Sequence, residues 1–244
     1  MTPKRIAMWS GPRNISTALM RSWENRPDTA VVDEPLYGHY LLKTAMLHPG
    51  ADEVIRSQET DWRKVVEQLT RGDIPGGKTI YYQKHMTHHL LPEIGREWLD
   101  RLDNVFLLRT PREVVPSFIE KAGEPRLEDI GLPQQLELFE WVRRRTGRVP
   151  PVIDARDFLD NPEGMLRLLC DRLGVPFTAA MLSWPAGPRL TDGVWAKHWY
   201  DAVWKSTGFQ PYRPKEAAVP SHLRDVVRRA EELYQGLYAH RLVA

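Results

Sequence analysis

Short apolar runs recur along this chain. Each is followed by a longer stretch in which apolar residues return every three or four positions. The runs are Lys4 to Trp9, Ala30 to Val32, Thr79 to Lys84, Asn104 to Arg109 and Pro151 to Asp154. They read as strands buried on both faces. Between and after them, Ser16 to Glu24, Leu36 to Leu47, Trp62 to Arg71, Trp98 to Leu102, Pro111 to Glu120, Pro133 to Arg145, Asn161 to Leu173 and Arg224 to Leu242 read as helical. Leu136, Phe139 and Val142 form the apolar stripe of one of these helices. Arg26-Pro27 stops the first helix, Pro111 opens another at the turn where proline is tolerated, and Gly174 closes a third. Strands alternating with helices predict an α/β fold of three layers, α/β/α, around a central parallel sheet. A ligand site is expected beyond the carboxyl ends of its strands.

The 244 residues suit one domain spanning 1–244. The stretch Trp184 to Pro214 differs in character, with Trp184, Trp195, Trp199 and Trp204 set among Pro185, Gly187, Pro188, Gly193 and Gly208. It is either a lid or binding loop over a base or substrate, or a self-packed surface loop. A net charge of +2 predicts no nucleic-acid partner. The single cysteine, Cys170, excludes an intrachain disulfide and a cysteine-based zinc site, and its apolar helical setting makes it a core residue. No apolar run approaches a membrane span, and polar residues resume at Ser10 before a signal-peptide core is complete. The expectation is a soluble, cytoplasmic protein with no membrane partner. Oligomeric state has no visible signature.

The first strand runs into the turn Ser10, Gly11, Pro12, Arg13, Asn14, Ile15, Ser16 and Thr17, and the turn runs into a helix. Unpaired N–H groups and a positive dipole end make such a turn an anion site, with phosphate as the commonest guest. Arg13 adds a forked cation, and Ser16 and Thr17 add hydroxyls. The turn is not a nucleotide-hydrolase loop, because no Gly-Lys pair follows Gly11 and no Ser/Thr follows a lysine to hold magnesium. Arg109, at the end of the fourth strand, and Ser117, on the next helix, supply a second pair of phosphate-binding groups.

Pro12-Arg13-Asn14-Ile15-Ser16-Thr17 resembles the loop of sulfotransferases that grips 3′-phosphoadenosine 5′-phosphosulfate (PAPS). Asn14 stands where a serine is usual and Ile15 where a glycine is usual, and a β-branched residue tolerates positive φ poorly. Arg109, Pro111 and Ser117 resemble the same family's 3′-phosphate clamp, with Thr110 departing from the usual Asp or Asn. The run Val152 to Pro162, followed by Leu173-Gly174-Val175-Pro176, resembles its strand, acidic turn and helix signature. Lys205-Ser206-Thr207-Gly208 weakly resembles a closing loop over the 3′-phosphate. The likeness is greatest to bacterial sulfotransferase-like proteins carrying Trp-Ser-Gly-Pro-Arg-Asn and Asp-Glu-Pro, some of which carry names suggesting aminotransferases. The resemblance implies a P-loop nucleotide-hydrolase-like sulfotransferase fold. It also implies PAPS as donor, PAP as product, no metal, and a small-molecule acceptor.

Sulfuryl transfer needs a cation at the leaving oxygen, a role for Arg13, and a base at the acceptor. Glu34 closes the second strand in Val31-Val32-Asp33-Glu34-Pro35. His85 and His88 lie in Lys84-His85-Met86-Thr87-His88-His89 after the third strand. The order of preference is Glu34, then His85, then His88, and Lys84 is alternatively placed by the leaving phosphate. A histidine cluster also suggests metal, but no metal-ligand spacing accompanies it. The competing readings are a non-catalytic nucleotide-binding protein of the same fold, a P-loop kinase, and an aminotransferase using a lysine Schiff base.

Overall fold

The computed structural model describes residues 3–214 and 218–244, so Met1, Thr2 and 215–217 of the expected 1–244 domain lie outside the described residues. Five strands form one parallel sheet: β1 (Lys4–Ser10), β2 (Thr29–Asp33), β3 (Ile80–Met86), β4 (Asp103–Leu108) and β5 (Val152–Asp154), in the order β2-β3-β1-β4-β5. The chain moves to one side of β1 for β2 and β3, then to the other for β4 and β5. A crevice opens at the carboxyl ends where the direction reverses.

The helices are α1 (Ser16–Glu24), α2 (Tyr37–Thr44), α3 (Ala51–Ser57), α4 (Trp62–Thr70), α5 (Pro111–Ala122), α6 (Leu132–Thr146), α7 (Ala155–Asp160), α8 (Pro162–Leu173), α9 (Ala196–Trp199), α10 (Asp201–Trp204) and α11 (Arg224–Tyr238). They cover both faces of the sheet because strand side chains alternate. Ala7 and Trp9 of β1 join Phe106 and Leu108 of β4 in one core, with Leu138, Phe139 and Val142 of α6 and Ala230 and Leu237 of α11. Ile6 and Met8 enter the other, with Leu19, Met20 and Trp23 of α1 and Met165, Leu166 and Leu169 of α8. A third cluster, of Tyr37, Tyr40, Leu41, Val54, Trp195, Ala196 and Tyr200, joins α2 and α3 to the tryptophan-rich segment. Gln135 of α6 donates to the carbonyls of Trp9 and Leu107 at 3.2 and 2.9 Å. It thereby ties α6 to the carboxyl ends of β1 and β4 through buried backbone acceptors.

Several boundaries differ from the sequence expectation, each for a local reason. The helix expected over Leu36 to Leu47 stops at Thr44, where Ala45 turns left-handed at φ 51°. Beyond it lies α3, a helix the sequence pattern did not predict, entered through Gly50 at φ 73°. The acidic turn expected at 155–160 is helix α7. Asp154 caps it, its Oδ1 accepting from the N–H groups of Arg156 and Asp157 at 2.9 and 3.3 Å. The last helix ends at Tyr238 rather than Leu242, and Leu242 N–H donates instead to the carbonyl of Val152 at 2.8 Å. The segment 184–214 holds the short helices α9 and α10, and Trp184 and Trp195 are each only 3% exposed. It is tied to α1 by the buried Arg21, whose Nη2 donates to both oxygens of Asp192 at 2.5 and 2.7 Å.

Candidate functional site

A cavity of about 640 Å³ lies at the carboxyl ends of the strands. Residues 12–18 form part of its wall, with Arg109 and Ser117 beside them. Glu34, Lys84, His88, His89, Tyr37 and Tyr40 form another part, and Trp195, Trp199, Tyr200, Ser206, Gly208 and Phe209 bring the tryptophan-rich segment to it.

At the loop end, the left-handed residue is Arg13, at φ 58°. Ile15 sits at φ −87°, so its branched side chain carries no penalty where a glycine was expected. Asn14 replaces the usual serine with an internal tie. Its Oδ1 accepts from Ile15 N–H at 2.8 Å, and its Nδ2 donates to the Leu107 carbonyl at 3.2 Å. The first turn of α1 has no acidic residue and no side-chain cap, which leaves its N–H groups and the hydroxyls of Ser16 and Thr17 free to meet an anion. Arg13 Nε donates to Ser117 Oγ at 3.0 Å. Arg109 Nη1 donates to the Arg13 carbonyl at 2.9 Å, and its Nε pairs with Glu113 at 2.9 Å. Burial, and then the charge of Arg109, lower the pKa of Arg13. Two guanidiniums that repel one another beside a free helix N-terminus fit a polyanionic guest.

The other end is an ion cluster. Asp33 and Lys84 are register partners on β2 and β3, so their side chains share a face. Lys84 Nζ donates to Asp33 Oδ1 at 2.8 Å, to Glu34 Oε1 at 2.5 Å and to the Tyr200 hydroxyl at 2.8 Å. Tyr200 in turn donates to Asp33 Oδ2 at 2.6 Å. Glu34 adopts left-handed backbone at φ 43°, its N–H donating to the Lys84 carbonyl at 2.9 Å. Such backbone on a non-glycine residue costs about 1 kcal/mol or more, and here it aims the carboxylate into the cavity. Burial raises the Glu34 pKa, Lys84 opposes that, and Asp33 adds to it. Lys84 is held as an ammonium: its two carboxylates outweigh burial and lift its pKa well above the ordinary value.

The residues nominated from sequence divide between wall and interior. Pro12, Arg13, Asn14, Ile15, Ser16, Thr17, Arg109, Ser117, Ser206, Gly208, Glu34 and His88 line the cavity. Ser10 and Gly11 stand behind the loop: Ser10 is fully buried, and a Cβ on Gly11 would lie 2.3 Å from the Ile130 carbonyl oxygen. Gly11 is therefore required by packing. Lys205 and Thr207 are exposed and away from the wall, while Ser206 Oγ accepts from Trp184 Nε1 at 3.1 Å. His85, proposed as a base, is also away from it. Strand alternation puts it on the opposite face from Lys84, stacked on Trp9 at 4.3 Å, and burial pushes its pKa down to about 3. His88 keeps its place on the wall, edge-on to His89 and Tyr40, with burial pushing its pKa down to about 4.

Asp33, Tyr200 and His89 were not foreseen as site residues. His89 stacks against Tyr37 and Tyr40 at 4.5 and 4.7 Å, with Nδ1 3.9 Å from Glu34 Oε2. Asp33 had a usable signal, an acid closing one strand opposite a lysine closing the next. Tyr200 had none, lying 116 residues beyond Lys84. Among the described residues, no group of three or more His, Cys, Asp or Glu is disposed to hold a metal ion, and no helix is long and apolar enough to cross a membrane.

Two curated Arabidopsis thaliana proteins are similar to this chain. Branched-chain-amino-acid aminotransferase-like protein 1 is 39% identical over 238 residues, and protein 2 is 36% identical over 235. This chain is covered to 98% and 96%, but it spans only 42% and 41% of their lengths. Among solved structures, the sulfotransferase from Alicyclobacillus acidocaldarius aligns with TM-score 0.59 at 12% identity, covering 100% of this chain and 98% of its own. The sulfotransferase domain of the Synechococcus PCC 7002 olefin synthase aligns with TM-score 0.56 at 20%, covering 99% and 96%. The sulfotransferase domain from the curacin biosynthetic pathway gives 0.54 at 17%, covering 99% of both. At these identities the structures show the shared fold. The sequence profile of the sulfotransferase domain matches residues 4–241, and the chain belongs to that family.

Proposed function

We propose that this chain moves the sulfuryl group of PAPS to a hydroxyl or amine of a small-molecule acceptor by in-line displacement. One observation carries the reading. A single cavity joins a free helix N-terminus flanked by two arginines to a buried carboxylate of raised pKa. PAPS supplies an activated sulfuryl group between phosphates whose charges match the loop end. Arg13, Ser16, Thr17 and the N–H groups of the first turn of α1 hold the 5′ side, and Arg109 and Ser117 hold the 3′-phosphate. Arg13 also steadies the charge that develops on the leaving oxygen. Glu34 takes the acceptor's proton, its raised pKa matching it to a base's task. His88, His89, Tyr37, Tyr40, Trp195 and Trp199 enclose the acceptor and exclude water.

The aminotransferase-like names of the relatives describe chains more than twice as long as this one. A Schiff-base lysine needs an uncharged amine, whereas Lys84 is locked as an ammonium between two carboxylates. Calorimetric titration with PAP, AMP and magnesium–ATP tests the reading. The expected result is micromolar PAP binding, about −8 kcal/mol, that weakens sharply without the 3′-phosphate and needs no magnesium. Tight magnesium–ATP binding with no response to PAP would overturn it in favour of a kinase.

A further inference from the structure

The ion cluster at Glu34 holds two carboxylates against one ammonium. Asp33 and Lys84 side chains are each 1% exposed, and Glu34 is 11% exposed toward the cavity. A base that were the only partner of a buried lysine would work against itself. Each proton it accepted would leave the ammonium buried without a counter-ion, a costly state. The ammonium would also hold the carboxylate ionised and make it a poor base.

Resting on the reading of Glu34 as base, we propose that Asp33 is the standing counter-ion of Lys84, a positioning residue that lets Glu34 gain and lose a proton without stranding the buried ammonium. Asp33 has the geometry for it. It faces Lys84 from the neighbouring strand at 2.8 Å, while its second oxygen accepts from Tyr200 at 2.6 Å. With the N–H of Gly193 donating to the same second oxygen at 3.4 Å, three hydrogen-bond donors fix it, and it does not line the cavity wall. The charge balance closes. Before transfer the trio Asp33, Glu34 and Lys84 carries one net negative charge. The acceptor's O–H or N–H bond then breaks, and its electron pair forms the new bond to sulfur. The donor phosphate departs with the electrons of the old oxygen–sulfur bond, and the proton goes to a Glu34 oxygen. The trio is then neutral, with Lys84 and Asp33 still paired. The other groups facing Glu34 are His89 at 3.9 Å, which burial keeps neutral, and the hydroxyls of Tyr37 and Tyr200, whose pKa values burial raises. None of these can supply the missing negative charge.

Carboxyl-¹³C NMR titration of the full chain tests this without needing an acceptor. Glu34→Gln and Asp33→Asn identify the two resonances by their loss. In the wild-type protein, Glu34 is expected to take up the first proton of the pair on acidification. In Asp33→Asn, Lys84 has Glu34 as its one ionic partner, and the Glu34 midpoint is expected to fall by about one pH unit or more, a tenfold change in acidity. The acid limb of turnover moves down with it. Asp33 protonating before Glu34 in the wild type, or a Glu34 midpoint unmoved in a folded Asp33→Asn variant, overturns the proposal. The wild-type order is readable even if that variant does not fold. Full turnover in Glu34→Gln would instead reject Glu34 as base, a result separate from the titration.

Discussion

The loop end and the carboxylate end of the cavity solve opposite electrostatic problems with different materials. Around Arg13, positive charge is gathered and left without enough counter-charge. Arg13 and Arg109 face the same space, Glu113 pairs with Arg109, Glu120 acts on Arg13 less than burial and Arg109 do, and the N-terminus of α1 stands uncapped. Around Glu34 the excess is negative, and every charge has a close partner within a buried cluster. Under the proposed function, the first end binds a strongly charged group, since an anion completes what the protein leaves open. On the same reading the second exchanges a proton, which needs a carboxylate whose state can change inside a fixed frame.

Glu34→Gln probes that division most severely. It is expected to cut turnover by about a hundredfold or more and leave PAP affinity nearly intact, measured by steady-state rates beside calorimetry. A parallel loss of PAP affinity would show that the two ends are not separate. Ser117→Ala acts on the other end alone. Losing one hydrogen bond to a charged group, about 1.5 kcal/mol, should weaken PAP binding about tenfold. The proton-linked limb of the pH profile should stay where it is. His85→Phe is expected to touch neither end. It keeps a ring against Trp9 but removes a buried titratable group. Because the His85 pKa is lowered to about 3 in the folded chain, wild-type stability is lost as pH falls below about 6.5, where the unfolded chain binds an extra proton. The variant should flatten that loss by about 1.4 kcal/mol per pH unit, read from denaturant unfolding between pH 4 and 6, with PAP affinity unchanged.

The same two ends differ in how far the sequence discloses them. Residues 12–17 are contiguous, and Arg109 and Ser117 lie one turn-and-helix apart, so local spacing alone nominates them. Helix layers and the parallel sheet are legible for the same reason: each rests on short-range periodicity. The strand order β2-β3-β1-β4-β5 is not, because it depends on pairing between segments far apart in the chain. The histidine cluster shows where local reading stops. Lys84 and His85 are neighbours in sequence, yet the two-residue period of β3 sends one to the cavity and the other under the sheet. The positions of Ile15 and Asn14 as departures were visible. How the backbone accommodates them was not, since that depends on the positive φ falling at Arg13 and on a contact with Leu107 across the sheet. Tyr200 was hidden because tertiary packing of the tryptophan-rich segment, rather than any motif, delivers its hydroxyl.

That remote hydroxyl has a consequence for how the protein comes into being. Asp33 and Lys84 leave the ribosome long before the residue that bridges them, which lies 116 residues after Lys84 and 167 after Asp33. At ordinary rates of synthesis the delay is on the order of ten seconds. Throughout it, the nascent sheet must carry its charged pair without the tyrosine and beneath no roof. The birth of a competent site is thus timed by the arrival of the carboxyl-terminal third of the chain, whatever the sheet has already achieved.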